Sequence, residues 1–360
     1  MTKAMPSRGP RLGTWLTVLA SGAAIACALW LLWFFFWRIP AVNRTHPPGV
    51  RSVTTLRPEF TGAPDGVVAL QDGGAFYFDG GNSSSSDGTG VLAGTATRAD
   101  ELREYLIPTK GEIQSVAIGP DGTLWATTIL DNPTWPPVEH GTIVRITGNV
   151  MTTAFSIPKH LGYASALVAA PDGTFWFALA DAHAVGHATR RGDTRVTILP
   201  RPIKPDTLAL ATNGNLYVAE RGRPIIVRLS PQGKVLTLTS HHNVGALAAG
   251  PANEVWFTEE HSNRLGRITP SARIEEVETG SYMDTSAPIA VSNDSVWFAA
   301  ADGVGRLSLR DRTSVAISLP NRPRSITSLA VSKTGVIWLT EALSDGRCVA
   351  ECGAIVRITP

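Results

Sequence analysis

The chain has 360 residues, 43% hydrophobic and 17% charged, a composition that excludes wholesale disorder. Its formal charge of +2 conceals an asymmetry: residues 1–50 hold five of the 32 basic residues (Lys3, Arg8, Arg11, Arg38, Arg44) and no acidic one, which leaves 27 basic against 30 acidic residues in 51–360. A slightly acidic body without a Lys/Arg run lacks the electrostatic footprint of a nucleic-acid binder, and three cysteines are too few for a disulfide scaffold, so the fold must rest on apolar burial.

The first element is Thr14–Trp37, 24 residues without a charge. As a helix it would measure about 36 Å, against a hydrocarbon core of about 30 Å. Trp15 and Trp37 bracket it at headgroup level, and Lys3, Arg8 and Arg11 precede it, which predicts a single-pass anchor in the lipid bilayer with the N-terminus in the cytoplasm. A cleaved signal peptide is the alternative. Against it, the apolar run exceeds the usual core of roughly 7–15 residues, and LLWFFFW fills the place of a small-residue cleavage site. The expected organisation is a cytoplasmic tail 1–13, an anchor 14–37, a polar Pro-containing linker 38–50 and a body 51–360 outside the cytoplasm.

The body is a repeat. An apolar strand, a turn around Asp/Asn-Gly and an aromatic-centred strand recur around Tyr77, Trp125, Trp176, Tyr217, Trp256, Trp297 and Trp338, at spacings of 48, 51, 41, 39, 41 and 41 residues. That is the length of a four-stranded propeller blade, so an all-β, seven-bladed β-propeller is predicted, with the aromatics packed between neighbouring blades. Third strands follow, clearest as SNRLGRITP (262–270) and GAIVRITP (353–360), and fourth strands as ELREYLIP (101–108), MTTAFSIP (151–158) and SVAISLP (314–320). The chain stops after a third strand, while SVTTLRPE (52–59) has the fourth-strand pattern and precedes the first blade. Pairing the two would close the ring and remove its exposed edges. Loops lengthen blade one (80–90, Ser/Gly-rich) and blade two (131–141, with Trp135). In blade seven Cys348 and Cys352 form C-x-x-x-C, which fits a local disulfide in an extracytoplasmic body; a metal site would need more thiols or a histidine pair.

The combination PDG-x-x-WF-T-E, N-R-x-G-R-I-T-P and a strand ending in L-P resembles the streptogramin B lyase (virginiamycin B lyase) family over roughly residues 51–360, most closely in ANEVWFTEEHSNRLGRITP (252–270). The resemblance implies a seven-bladed propeller that opens a cyclic depsipeptide by elimination with a divalent metal, usually magnesium. It also implies a catalytic histidine in P-H-x-I at the start of two inner strands, a glutamate in E-P-H-x-I, and a glutamate four residues after a blade tryptophan. Here the histidine position is held by Gly66, Gln114, Ser165, Asp206, Gly245, Ala287 and Thr327, and the later glutamate position by Glu260 alone. The family's catalytic histidines are therefore missing.

Residues before an inner strand and after the aromatic strand share one rim of a propeller. On it the sequence places Asp206, Glu220, Glu259, Glu260, His261 and Glu341, with His241 and His242 just ahead of the inner strand of blade five. If chemistry persists, His242, Glu260 and His261 are the expected catalytic groups and Glu220, Glu259 and Glu260 the expected metal ligands, with magnesium the expected ion. His183 and His187, four apart, share one strand face and are expected at a solvated or edge position. No G-x-S-x-G, H-E-x-x-H, phosphate loop or zinc-type Cys pairing occurs. The leading expectation is a platform binding a small-molecule or protein ligand at its rim, without streptogramin lyase activity; the alternative is a metal-dependent lyase or lactone hydrolase.

Overall fold

A computed structural model of the chain describes residues 50–58, 64–79, 90–108, 111–130, 140–200, 203–285, 287–301, 303–320, 325–342 and 353–360. Among them no helix is long and apolar enough to cross a membrane. The expected anchor 14–37, the loop with Trp135, and Cys348 and Cys352 lie outside the described residues.

The body is all-β and antiparallel. One sheet runs Gly66–Ala69, Ala75–Phe78, Gly90–Ala96, Leu102–Pro108; the next Gly111–Ile118, Leu124–Leu130, His140–Thr147, Val150–Ser156; the third Ala166–Ala169, Phe175–Leu179, Ala184–Ala188, Thr194–Ile198. A seven-stranded sheet follows: Thr207–Leu210, Leu216–Ala219, Arg223–Leu229, Val235–Ala249, Val255–Glu259, Ser262–Ile268, Ile274–Met283. It is continuous because Val235–Ala249 serves twice. Its first half pairs with Arg223–Leu229 as an outer strand, and its second half pairs with Val255–Glu259 as an inner one. Ile289–Val291, Ser295–Ala300, Gly303–Ser308 and Ser314–Ser318 form a further sheet. The last combines Ser325–Val331, Ile337–Ala342 and Gly353–Thr359 with the N-terminal strand Ser52–Leu56, in the register Ser52↔Thr359 through Leu56↔Ile355.

The innermost strands follow one another in space as in sequence, and Gly66–Ala69 also lies against Ser325–Val331, so the order returns on itself. Hydroxyls stitch these neighbours together. Ser115 Oγ accepts the Leu167 N–H (3.2 Å), Thr207 Oγ1 the Leu247 N–H (3.1 Å) and Ser328 Oγ the Val67 N–H (3.2 Å).

The repeated residue pairs have a physical cause in the register. The aromatic of the second strand sits opposite an arginine of the third, as in Trp256↔Arg267, Trp297↔Arg306 and Trp338↔Arg357. The guanidinium lies over the ring, 5.4 Å from its centre at Arg306 and Trp297. The next pair sets an aromatic against glycine: Phe177↔Gly186, Phe257↔Gly266, Phe298↔Gly305. A Cβ at Gly266 would stand 1.9 Å from the Phe257 ring, and one at Gly305 2.1 Å from Phe298, so the ring covers bare backbone. In the third sheet His187 replaces the arginine and stacks on Trp176 at 4.1 Å, with Nε2 2.9 Å from Thr174 Oγ1. It is half-buried rather than at a solvated or edge position, and desolvation lowers its pKa.

The tryptophans pack between sheets. Trp256 meets Ile289, Val296 and Phe298 of the following sheet, and Trp297 meets Leu329, Ile337 and Leu339. Trp338 meets Val67 and Tyr77 near the start of the body, with Leu56 of the closing strand, and donates to the Gly73 carbonyl (3.2 Å).

Deleting 50–56 would bare the edge Gly353–Thr359 and open the contact around Trp338. The expected outcome is a fall in melting temperature with onset of aggregation, while deleting 82–87 in the Ser/Gly loop leaves melting near that of the parent; differential scanning calorimetry with light scattering checks both.

Candidate functional site

Among the described residues, the group of ionisable side chains that could converge on one ion sits where Val235–Ala249 crosses from outer to inner strand. Ser240 and Val244 are buried there, His241 is exposed and His242 is half-buried. Val244 pairs with Glu259 at the end of Val255–Glu259, which brings that carboxylate beside the crossover with no exposed surface. Glu276, on the outer strand Ile274–Met283, completes the group: His242, Glu259 and Glu276 each offer one donor atom, and the three atoms lie within 4.8 Å of one another.

The hydrogen bonds define what each carboxylate can still do. Ser240 Oγ donates to Glu259 Oε1 (3.2 Å), and Glu259 Oε2 is buried without a hydrogen-bond partner among the described residues. Glu276 is held from outside, with Oε1 2.5 Å from His241 Nδ1 and Oε2 accepting from Arg264 Nη1 (3.0 Å). Arg264 also reaches Glu278 at 3.5 Å. Burial pushes the Glu259 carboxyl up and the charge of Glu276 pushes the same way, while His242, the Ser240 hydroxyl and Arg264 pull it down.

Of the residues expected from sequence, the structure therefore joins His242 and Glu259, and adds Glu276. Glu220, Glu260 and His261 belong to no such group among the described residues. Glu220 accepts the Lys204 N–H (2.9 Å) and pairs with Arg223 (3.2 Å). Glu260 is nearly buried, its N–H bonded to the Asn243 carbonyl (2.8 Å). His261 adopts φ 53° and turns to Tyr282 Oη (3.3 Å) and Asp284 (3.5 Å). Asp206 binds Arg221 through the backbone N–H and the guanidinium, and His183 Nδ1 lies 2.9 Å from the Ile203 carbonyl. The signal for Glu276 was the facing pair NRLGR and RIEEVE, whose charges complement each other across Arg264↔Glu278 and Arg267↔Glu275, with Glu276 between them opposite Gly266.

At the positions where the resemblance implies histidine, the side chains serve the scaffold. Ser165 Oγ donates to the Pro205 carbonyl (2.9 Å) and Thr327 Oγ1 to that of Pro64 (2.8 Å), each linking two inner strands. A Cβ at Gly66 would stand 2.3 Å from the Phe78 ring, and one at Gly245 2.6 Å from Thr258 Oγ1. That hydroxyl is committed, donating to the Ala287 carbonyl (2.8 Å) and accepting the Ala246 N–H (2.9 Å).

The model of the virginiamycin B lyase family matches residues 93–307. The chain belongs to that family. Among curated protein sequences none matches it. Among solved structures, virginiamycin B lyase from Staphylococcus aureus is 19% identical with a TM-score of 0.64, over 86% of this chain and 100% of that one. A catalytically inactive form of the same enzyme with quinupristin gives 19% and 0.65, over 86% and 99%. The WD40 propeller domain of Doa1 gives 14% and 0.61, over 86% and 96%. These likenesses establish a propeller fold. In the crossover sheet the motif positions are held by Asn243 in place of the E-P-H-x-I glutamate, Gly245 in place of its histidine, and Glu260, which together offer one carboxylate and no imidazole. They do not fit the metal-and-histidine centre that the family resemblance implies.

Gly245→His should lower the unfolding free energy by about 1–3 kcal/mol through the clash with Thr258, read in urea titration, and should create no ring-opening activity.

Proposed function

We propose that this family member is a seven-bladed propeller, held outside the cytoplasm by the anchor Thr14–Trp37, whose surface binds a small-molecule or protein ligand without streptogramin lyase chemistry. The cyclic order of the inner strands and the pairing of Ser52–Leu56 with Gly353–Thr359 support the blade count. The observation that carries the loss of chemistry is the use of Ser165 and Thr327 as bonds between inner strands, together with the lack of space at Gly66 and Gly245. Elimination needs a base beside the ester, and no imidazole occupies those positions. Support for binding comes from a cleft of about 760 Å³ between Asp172, Trp176, His187, Arg195 and the turn Asn213–Gly214. Its size lies in the usual range for ligand pockets, and an aromatic stack beside opposite charges suits a polar ligand with a planar group.

A second reading, a metal-dependent lyase or lactone hydrolase, draws on the approach of His242 to Glu259. The full-length protein in detergent, incubated with a streptogramin B depsipeptide and magnesium, separates the readings by liquid chromatography with mass detection. No new species is expected. An isomeric product would establish elimination, a product heavier by one water would establish lactone hydrolysis, and either would overturn the proposal.

The extracytoplasmic placement carries its own expectation, a bond between Cys348 and Cys352. Alkylating native protein before reduction and mapping the peptides should leave both unmodified; modification of both in unreduced protein would refute the bond.

A further inference from the structure

We propose that His242, Glu259 and Glu276 form a site for a divalent transition-metal ion, zinc foremost, separate from the family's catalytic centre. Three observations converge on it. The three donor atoms, one imidazole nitrogen and two carboxylate oxygens, lie within 4.8 Å of one another. Three ligands each about 2.1 Å from one ion lie about 3.4–3.6 Å from one another, so the side chains would close by at most roughly 1.4 Å, a rotamer-scale adjustment. Glu259 has no exposed surface, its Oε1 is oriented by Ser240, and its Oε2 has no hydrogen-bond partner among the described residues. A buried carboxylate oxygen without a donor is costly, and a cation at that oxygen removes the cost. Glu276 is already braced from outside by Arg264 and His241, the arrangement in which a ligating carboxylate is fixed by hydrogen bonds of its own.

The charge balance agrees. Glu259, Glu276 and Glu278 face Arg264, so with neutral histidines the group retains excess negative charge that a divalent ion offsets. An imidazole with two carboxylates selects zinc or manganese over magnesium or calcium, which favour all-oxygen shells. Val244 lies opposite Glu259, and His242 belongs to the irregular stretch between Thr239 and Val244, ahead of Gly245, where the family resemblance implies histidine. The ion would tie the crossover to Val255–Glu259 and Ile274–Met283, the second and outer strands of the unit whose inner strand the crossover supplies. His242 and Glu276 are half-buried, and Glu276 borders an open cleft shared with Thr237, Thr239, His241 and Arg273, so water could fill the remaining coordination positions.

The test uses full-length protein in detergent, stripped with chelator, in a Cys27→Ser/Cys348→Ser/Cys352→Ser background that removes thiol ligands. Zinc, manganese and magnesium are titrated by equilibrium dialysis with elemental analysis, and thermal unfolding is followed with each ion. Zinc should bind and raise the melting temperature. Glu276→Gln and His242→Gln should each lose one equivalent of zinc, or weaken it at least about tenfold, and lose the thermal shift. Glu259→Gln should melt above its parent without metal, because the buried charge is gone, and should no longer respond to zinc. Unchanged zinc stoichiometry together with unchanged affinity in Glu276→Gln and His242→Gln would overturn the site, and magnesium binding as tightly as zinc would overturn the assignment of the ion. Neither result bears on the absence of lyase chemistry, which rests on different residues.

Discussion

Three sheets of this protein carry a tryptophan that is buried only when the next sheet lies against it. Trp256, Trp297 and Trp338 have essentially no exposed surface, and the residues covering them belong in part to the following unit. None of these sheets can therefore be satisfied alone, and the last must find the first. Trp338 does so against Val67 and Tyr77, with Leu56 of the N-terminal strand completing the contact. The same closure pairs the edge of Gly353–Thr359, which would otherwise be open to other chains. Ring formation thus answers two demands together, burial of the aromatics and pairing of the edge.

Packing at the centre shaped what the family scaffold retains here. Inner strands approach closely enough that small residues and hydroxyls are favoured between them, and Ser115, Ser165, Thr207, Thr327 and Ser328 all bond across to a neighbour. Positions where the family resemblance implies imidazoles are here part of the framework. The substitution is coherent, since a bulky side chain at Gly245 would displace the Thr258 hydroxyl that joins two inner strands. Stability and the inherited chemistry compete for the same positions.

The crossover at Val235–Ala249 obeys the opposite logic. There the fold buries a carboxylate, Glu259, against another, Glu276, and compensates it incompletely with Ser240, His242 and Arg264. An apolar residue in place of Glu259 would pack without this cost. Its presence makes sense if a cation shares the site, and the residues around it have the donor chemistry to hold one.

The repeat, its period, the aromatic positions and the strand that closes the ring were all legible in the sequence, because a strand alternates in and out every two residues and a turn demands Asp-Gly or Asn-Gly at a definite place. The missing histidines were legible for the same reason, since local spacing fixes which residue opens each inner strand. Glu276 was not, as it lies 17 residues after Glu259 on an outer strand that the repeat alone does not bring to the rim. Nor could the sequence separate Glu259 from Glu260: the strand ends at Glu259 and the turn begins at Glu260, and only the folded structure decides which carboxylate meets His242. Local order follows from residue type and period. Which charges share a buried space follows from long-range pairing, and that is a property of the folded ring.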